Sequence, residues 1–249
     1  MPVPLVPPSS QARRPVQTFL AARFSPEGAF GLQLTLGVAL IVLAALAFGV
    51  VADDVVRGAA ITRLDVQLAA WFHARATPGF TRAMLLVTHW NGLAGSSAMA
   101  LLLAFWFARR RLHAWLLLTV LAVPGGMLLN AVLKHVFRRA RPSLDHPLLT
   151  LETYSFPSGH TAAATVFYGL LACWLLKRVH GAPARALVLL AAAFMIGLVA
   201  LSRMYLGVHY LSDVIAATLE SLAWLTLCVT AVSAYERRRA LAHRAGEAP

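Results

Sequence analysis

The sequence predicts an all-α, polytopic integral membrane protein, with six transmembrane helices and amphipathic interfacial helices on the outer face. Three observations carry that prediction. Of the 249 residues, 59% are hydrophobic and 13% charged, where a soluble domain holds about 25% charged residues; the mean hydropathy is +0.69. The apolar residues gather into six stretches, about 32–52, 93–108, 112–133, 161–177, 185–201 and 213–234. Each is near the length that crosses a hydrocarbon core of about 30 Å, although three are short and borrow flanking residues. The basic residues fall in knots between the stretches, which is how membrane loops are charged.

Taken in order, residues 1–28 contain many Pro and Arg residues and read as a loosely ordered N-terminal segment. Stretch 32–52 is long enough to span, and the Asp53-Asp54 that follows is no small-residue cleavage site, so it reads as an uncleaved first helix. Residues 57–92 are too polar to cross. Leu64, Leu68, Trp71 and Phe72, then Met84, Val87 and Trp90, recur at helical spacing. They predict one or two helices in the interface, acting either as a lid or ramp for a lipid headgroup or as a packed connector. The remaining stretches must be helical, because in lipid a segment has to satisfy its own backbone groups.

The knots set the orientation. Arg13, Arg14 and Arg23, then Arg109 to Arg111, then Lys177, Arg178 and Arg185, then Arg237 to Arg239 with Arg244, all share one side if the chain crosses six times. By the positive-inside rule that side is the cytoplasm, with both termini there and a bacterial-type inner membrane as the location. The organisation expected is a cytoplasmic segment 1–28, a membrane domain 29–236 and a basic tail 237–249. The net charge of +12 comes from 20 Arg and 2 Lys against 10 acids. It forms no basic stripe or recognition module, which argues against a nucleic-acid partner. Cys173 and Cys228 lie inside apolar runs and read as reduced thiols packing as small hydrophobes.

The opposite side receives 134–160 and 202–212, where three polar clusters converge: Lys134-x6-Arg141-Pro142, Pro157-Ser158-Gly159-His160, and Ser202-Arg203-x5-His209-x3-Asp213. Ionisable residues of this density in hydrophobic surroundings point to a functional site. Spaced i, i+4, Asp213 can hold one ring N–H of His209 and leave the other nitrogen free to attack, against the plain alternative of a polar helix entrance. Pro157 to His160 read as the first turn of a helix, where free amides, a Ser158 hydroxyl and a close backbone approach at Gly159 suit an anion. His160 is placed to protonate a leaving oxygen. Lys134, Arg141 and Arg203 suit phosphate oxygens and repel a divalent cation, so an oxyanion is a better occupant than a metal. Taken singly, each cation could instead snorkel to the interface. Arg138 and Arg139 are two further cations in the first cluster. If it continues the preceding helix, Lys134 and Arg138 share a face, and the spare pair could contact a second phosphate or simply anionic headgroups.

Together the clusters match KxxxxxxRP, PSGH and SRxxxxxHxxxD, and on those residues the chain resembles the type 2 phosphatidic acid phosphatase family, the membrane lipid phosphatases related to bacterial acid phosphatases and vanadium haloperoxidases. The likeness covers nearly everything beyond about residue 30. It implies a six-helix phosphatase in which His209 forms a phosphohistidine with Asp213 orienting it and His160 protonating the leaving group. Lys134, Arg141, Ser158, Gly159 and Arg203 would bind the phosphoryl oxygens, with no metal or other cofactor. The substrate implied is a lipid phosphate or diphosphate, such as phosphatidylglycerol phosphate, phosphatidate, diacylglycerol diphosphate, undecaprenyl diphosphate or lipid A phosphate, and no obligate protein partner is evident. A phosphotransferase using the same phosphohistidine is an alternative. A lipid transporter is a non-enzymatic one, disfavoured because Glu220 is among few charges inside the spans.

Overall fold

The computed structural model describes residues 29–145, 147–149 and 151–246, and shows eight helices among them with no strand. In chain order they are α1 (Ala29–Arg57), α2 (Ala60–Ala74), α3 (Pro78–Trp90), α4 (Leu93–Arg109), α5 (His113–Phe137), α6 (Gly159–Leu176), α7 (Ala182–Tyr205) and α8 (Leu211–Gly246). Five of them, α1 and α5 to α8, are long and apolar enough to cross a membrane, and a sixth crossing exists if α3 and α4 count as one broken span. The expected segment 1–28 lies outside the described residues. The expected tail is no separate unit over its described part, because α8 runs unbroken to Gly246.

The second crossing differs from expectation. Stretch 93–108 forms the 17-residue α4, which at 1.5 Å per residue extends about 25 Å and falls short of a hydrocarbon core. Together with α3, which meets it at a 49° bend, it has the length and composition of a single broken span. The bend is built into Asn91-Gly92. Asn91 donates to the Val87 carbonyl at 2.9 Å, accepts from the Tyr168 hydroxyl at 3.0 Å, and its own carbonyl accepts from Ser96 at 3.0 Å. A Cβ on Gly95 would overlap the Trp90 carbonyl, so the bend requires glycine there.

α8 is the central post, packed against α1, α5 and α6. Small residues allow the approach: a Cβ on Gly125 or Gly126 of α5 would run into Trp224, and one on Gly169 of α6 into Leu225. Phe107, Ala122, Val166, Leu170 and Leu225 fill the core between α4, α5, α6 and α8.

α2 corrects the amphipathic reading. Leu64 and Trp71 are 42% and 49% exposed, and the stripe turned inward is Asp65, Ala69 and Phe72. In a membrane the apolar face has no reason to prefer protein over lipid, so the polar residue chooses the packed side. On α3, Met84 is buried as its spacing implies, with Thr88 beside it.

Candidate active site

The segment from Arg138 to Ser158 folds back over the ends of α5 and α8, and through it all three clusters meet. α6 starts at Gly159 with Ser158 in the extended residue before it. Pro157 therefore sits outside the helix, not in its first turn as the sequence suggested. The Ser158 amide donates to the Asp213 carbonyl at 3.1 Å, which seats the start of α6 on the start of α8. A Cβ at Gly159 would press on the Asn130 side-chain oxygen at 3.2 Å and come within 3.7 Å of Lys134 Cε.

His209 lies between α7 and α8 and is 2% exposed. Its Nδ1 faces Asp213 Oδ2 at 3.3 Å and its Nε2 faces Arg141 Nη1 at 3.3 Å. A carboxylate can only accept and a guanidinium only donate, so Nδ1 carries the proton and Nε2 the lone pair. Burial, reinforced by the charges of Arg203 and Lys134 and opposed by Asp213, lowers the His209 pKa to about 3. The ring is neutral at ordinary pH. Asp213 Oδ2 also accepts from the Tyr210 amide at 2.9 Å and from the Ser155 hydroxyl.

The three cations differ in how they are held. Arg141 donates to the Thr153 carbonyl at 2.6 Å, the Thr153 hydroxyl at 2.8 Å, the Tyr154 carbonyl at 3.2 Å and the Val208 carbonyl at 2.6 Å. Burial pulls its pKa below the usual arginine value, against the pull of Asp213. Lys134 Nζ donates to the Tyr154 and Ser155 carbonyls at 2.8 and 3.3 Å. Arg203 is 1% exposed; its Nη1 donates to the Thr88 hydroxyl, while its Nε and Nη2 are buried with no hydrogen-bond partner. Two unpartnered guanidinium nitrogens in a buried site are costly unless an anion fills the space they face.

Beside Arg203 opens a cleft of about 760 Å³. Its floor is His160 and Arg203, and its walls are Arg82, Leu85, Leu86 and His89 of α3 with Leu93 of α4. Gly92 lies close to His160, and a Cβ there would come 3.4 Å from His160 Nε2.

Arg138 and Arg139 do not form the spare pair expected of them. Arg138 adopts φ of 47°, which ends α5 at Phe137, and its Nε donates to the His135 carbonyl at 2.9 Å. Arg139 is committed to carboxylates: Nη1 donates to Asp213 Oδ1 at 2.6 Å and to Ser212 Oγ at 2.7 Å, and Nη2 to Asp65 Oδ2 at 2.8 Å. These contacts, with Asp213 first among the charges, outweigh burial and raise its pKa.

Sequence reasoning passed over Asp65, Thr88, Asn130 and Ser155. Asn130 donates to Glu220 at 2.5 Å beneath Gly159. Two signals were available: Asp65 is a carboxylate inside a helical apolar pattern, and Glu220 is an acid inside a span.

Compared with known proteins, residues 112–237 match the family model described as the PAP2 superfamily. The chain is 38% identical over 100 residues to phosphatidylglycerophosphatase B of Bacillus subtilis, covering 40% of this chain and 49% of that one. It is 36% identical over 135 residues to decaprenylphosphoryl-5-phosphoribose phosphatase of Mycolicibacterium smegmatis, covering 51% and 61%. The chain thus spans about half the length of the curated relatives it matches. Among solved structures, the transmembrane PAP2 type phosphatidylglycerolphosphate phosphatase of Bacillus subtilis superimposes with a TM-score of 0.67 at 26% identity, covering 80% of this chain and 96% of that one. LpxE of Aquifex aeolicus shares the fold, with a TM-score of 0.53 at 22% identity, covering 67% and 94%.

Proposed function

The chain belongs to the PAP2 superfamily, and from that premise we propose that it is a membrane phosphatase that removes a terminal phosphate from a lipid phosphate or diphosphate through a phosphohistidine. The single observation that carries the reading is the buried Arg203, which lines a cleft together with His160 and keeps two guanidinium nitrogens without a hydrogen-bond partner. An oxyanion there completes the hydrogen bonding of Arg203, and Lys134 and Arg141 turn toward it from the carbonyls they otherwise bind. Ser158 and the first-turn amides of α6, which no residue within that helix can accept, add uncharged donors.

The reaction follows from the tautomer of His209. The Nε2 lone pair attacks phosphorus, forming the N–P bond as the bridging P–O bond breaks. The leaving oxygen keeps that electron pair and takes a proton from His160. Asp213 accepts from Nδ1–H throughout and stabilises the positive charge the ring acquires. Water then attacks the phosphohistidine and gives a proton back to His160; the N–P bond breaks, and orthophosphate leaves with His209 neutral again. The fixed cations stabilise the equatorial oxygens, the work divalent ions do in many other phosphoryl-transfer enzymes.

The substrate reaches the site from the lipid, its tails leaving past Leu85, Leu86 and Leu93. The relatives are named for substrates such as phosphatidylglycerophosphate and decaprenylphosphoryl-5-phosphoribose, and lipids of that kind are the ones to test first. The basic knots at the opposite ends of the helices support an inner-membrane location with the site facing outward.

The deciding experiment is phosphate release by the purified protein from a panel of lipid monophosphates and diphosphates in detergent with excess chelator. Release that persists and is blocked by vanadate, a mimic of the trigonal bipyramidal transition state, is the expected result. Loss on chelation with recovery on added magnesium would sink the mechanism.

A further inference from the structure

Asp65 lies outside the three motif clusters, on a helix where the neighbouring Leu64 and Val66 are exposed, and it is 1% exposed. Both of its oxygens are spent on the start of α8 and on Arg139. Oδ1 accepts from the Ser212 amide at 2.9 Å; Oδ2 accepts from the Ser212 hydroxyl at 2.5 Å and from Arg139 Nη2 at 2.8 Å. Arg139 then continues to Asp213 Oδ1 at 2.6 Å while its guanidinium lies 4.3 Å over the Tyr210 ring. The Ser212 hydroxyl completes a closed set, donating to Asp65 and accepting from Arg139 at 2.7 Å. One arginine thus bridges two buried carboxylates, and one of those carboxylates is the partner of His209.

We propose that Asp65 is a positioning residue for phosphoryl transfer: through Arg139 and Ser212 it holds Asp213 with Oδ2 toward His209. The proposal rests on the reading of His209 as the nucleophile. With Asp65 in place, Arg139 is stretched between two acids and grips only Oδ1 of Asp213, leaving Oδ2 to His209, Tyr210 and Ser155. Without the Asp65 charge, the whole guanidinium pairs with Asp213. A planar fork then takes both carboxylate oxygens, as Arg–carboxylate pairs do, and competes with His209 for Oδ2. The ring loses its fixed tautomer and its basicity falls. The other charged groups around His209 are Lys134 from α5, Arg141 from the segment after it, His160 from α6 and Arg203 from α7. Each is cationic or neutral, so none can replace the orienting carboxylate. The same geometry gives α2 its task, because this interfacial helix brings a buried carboxylate to the end of α8.

The test is Asp65→Asn in the full-length protein, assayed on whichever lipid phosphate the wild type hydrolyses best. By the precedent of the outer partners that orient metal-bound histidines, kcat should fall on the order of 10- to 100-fold, with KM little changed and the thermal midpoint retained. On an Arg139→Gln background the same change should cost little more, because its effect runs through Arg139. Ser212→Ala removes only the hydroxyl link and should lower kcat less, in the same direction; it stands in if Asp65→Asn does not fold. Nitrogen-15 NMR of histidine-labelled protein gives a readout without substrate: the His209 pair, identified by its loss in His209→Asn, should report Nδ1–H in the wild type and mixed tautomers in Asp65→Asn. A wild-type kcat with an unaltered His209 tautomer would overturn the proposal, as would a loss that vanishes once rates are normalised to folded protein. A wild type that releases no phosphate from any lipid defeats the phosphatase reading instead, and the tautomer comparison still judges Asp65.

Discussion

As the proposed nucleophile, His209 has to keep a lone pair while surrounded by cations, and its burial favours this. With its pKa lowered to about 3 by burial first and by Arg203 and Lys134 after it, the substrate-free ring stays a free base across the working range. The sign for stability follows. The unfolded chain protonates this histidine near 6.5 and the folded one only near 3, so acidification favours the unfolded state. The stabilisation is full above about pH 6.5 and is lost progressively as the pH falls toward 3. The thermal midpoint of the wild type in detergent should therefore drop more steeply between about pH 6.5 and 4.5 than that of His209→Asn, in which this slope is gone. Equal slopes would show that the burial does not act as described. For activity, His209→Ala should abolish turnover and radiolabelled phosphoenzyme together. Asp213→Asn should keep the fold and lose orders of magnitude in kcat, as orienting carboxylates of serine-protease triads do. A near-wild-type rate in His209→Ala removes it as nucleophile.

The α3–α4 bend decides what the cleft can admit. It turns Thr88 onto Arg203 and presents Arg82, Leu85, Leu86 and His89 as one wall. Gly95→Val should push α4 off the Trp90 carbonyl, opening the bend. The expected result is a lowered thermal midpoint and lost lipid hydrolysis; unchanged values in both would mean the bend is not needed. The side chains of Arg82 and His89 line the cleft and have no hydrogen-bond or ion-pair partner among the described residues. Arg82 precedes Thr88 by six residues, about 9 Å along the helix axis, which suits an anion held at some distance from the scissile phosphate better than the adjacent phosphate of a diphosphate. Arg82→Gln should raise KM for a lipid whose two phosphates are separated by a polyol more than for phosphatidate. An equal rise for both leaves only general attraction. The sequence made the long helices legible because apolar runs of about 17 residues or more leave few alternatives. It could not show that α3 and α4 meet at a bend, since a bend between two helices has no hydropathy signature. Nor could it show which face of α2 packs, since lipid and protein interior accept the same apolar residues.

Taken as a whole, the molecule puts opposite chemistry at its two ends. The three motif clusters were legible as a candidate site because charged residues are few in this chain and rarely placed in a membrane without a use. The supporting set was not: Asp65, Thr88, Asn130 and Ser155 are ordinary polar residues whose meaning comes from contacts 58 to 147 positions away in sequence, as in Ser155 to Asp213 and Asp65 to Ser212. The engagement of Arg139 was hidden for the same reason, because the sequence shows the arginine but not the two carboxylates that claim it. At the far end a groove of about 650 Å³ gathers Lys177, Glu236 and Arg237 beside Trp115 and Leu34, so the starts of α1 and α5 meet the ends of α6 and α8 there. Positive charge at that end supports the proposed orientation, in which the groove faces the cytoplasm by the positive-inside rule. In a background with Cys173 and Cys228 replaced by alanine, a cysteine at Ser143 should then react with a membrane-impermeant thiol reagent in intact cells. One at His180, between α6 and α7, should react only after permeabilisation. The reverse pattern would turn the protein over and move phosphate release to the cytoplasm, with the geometry of the site unchanged.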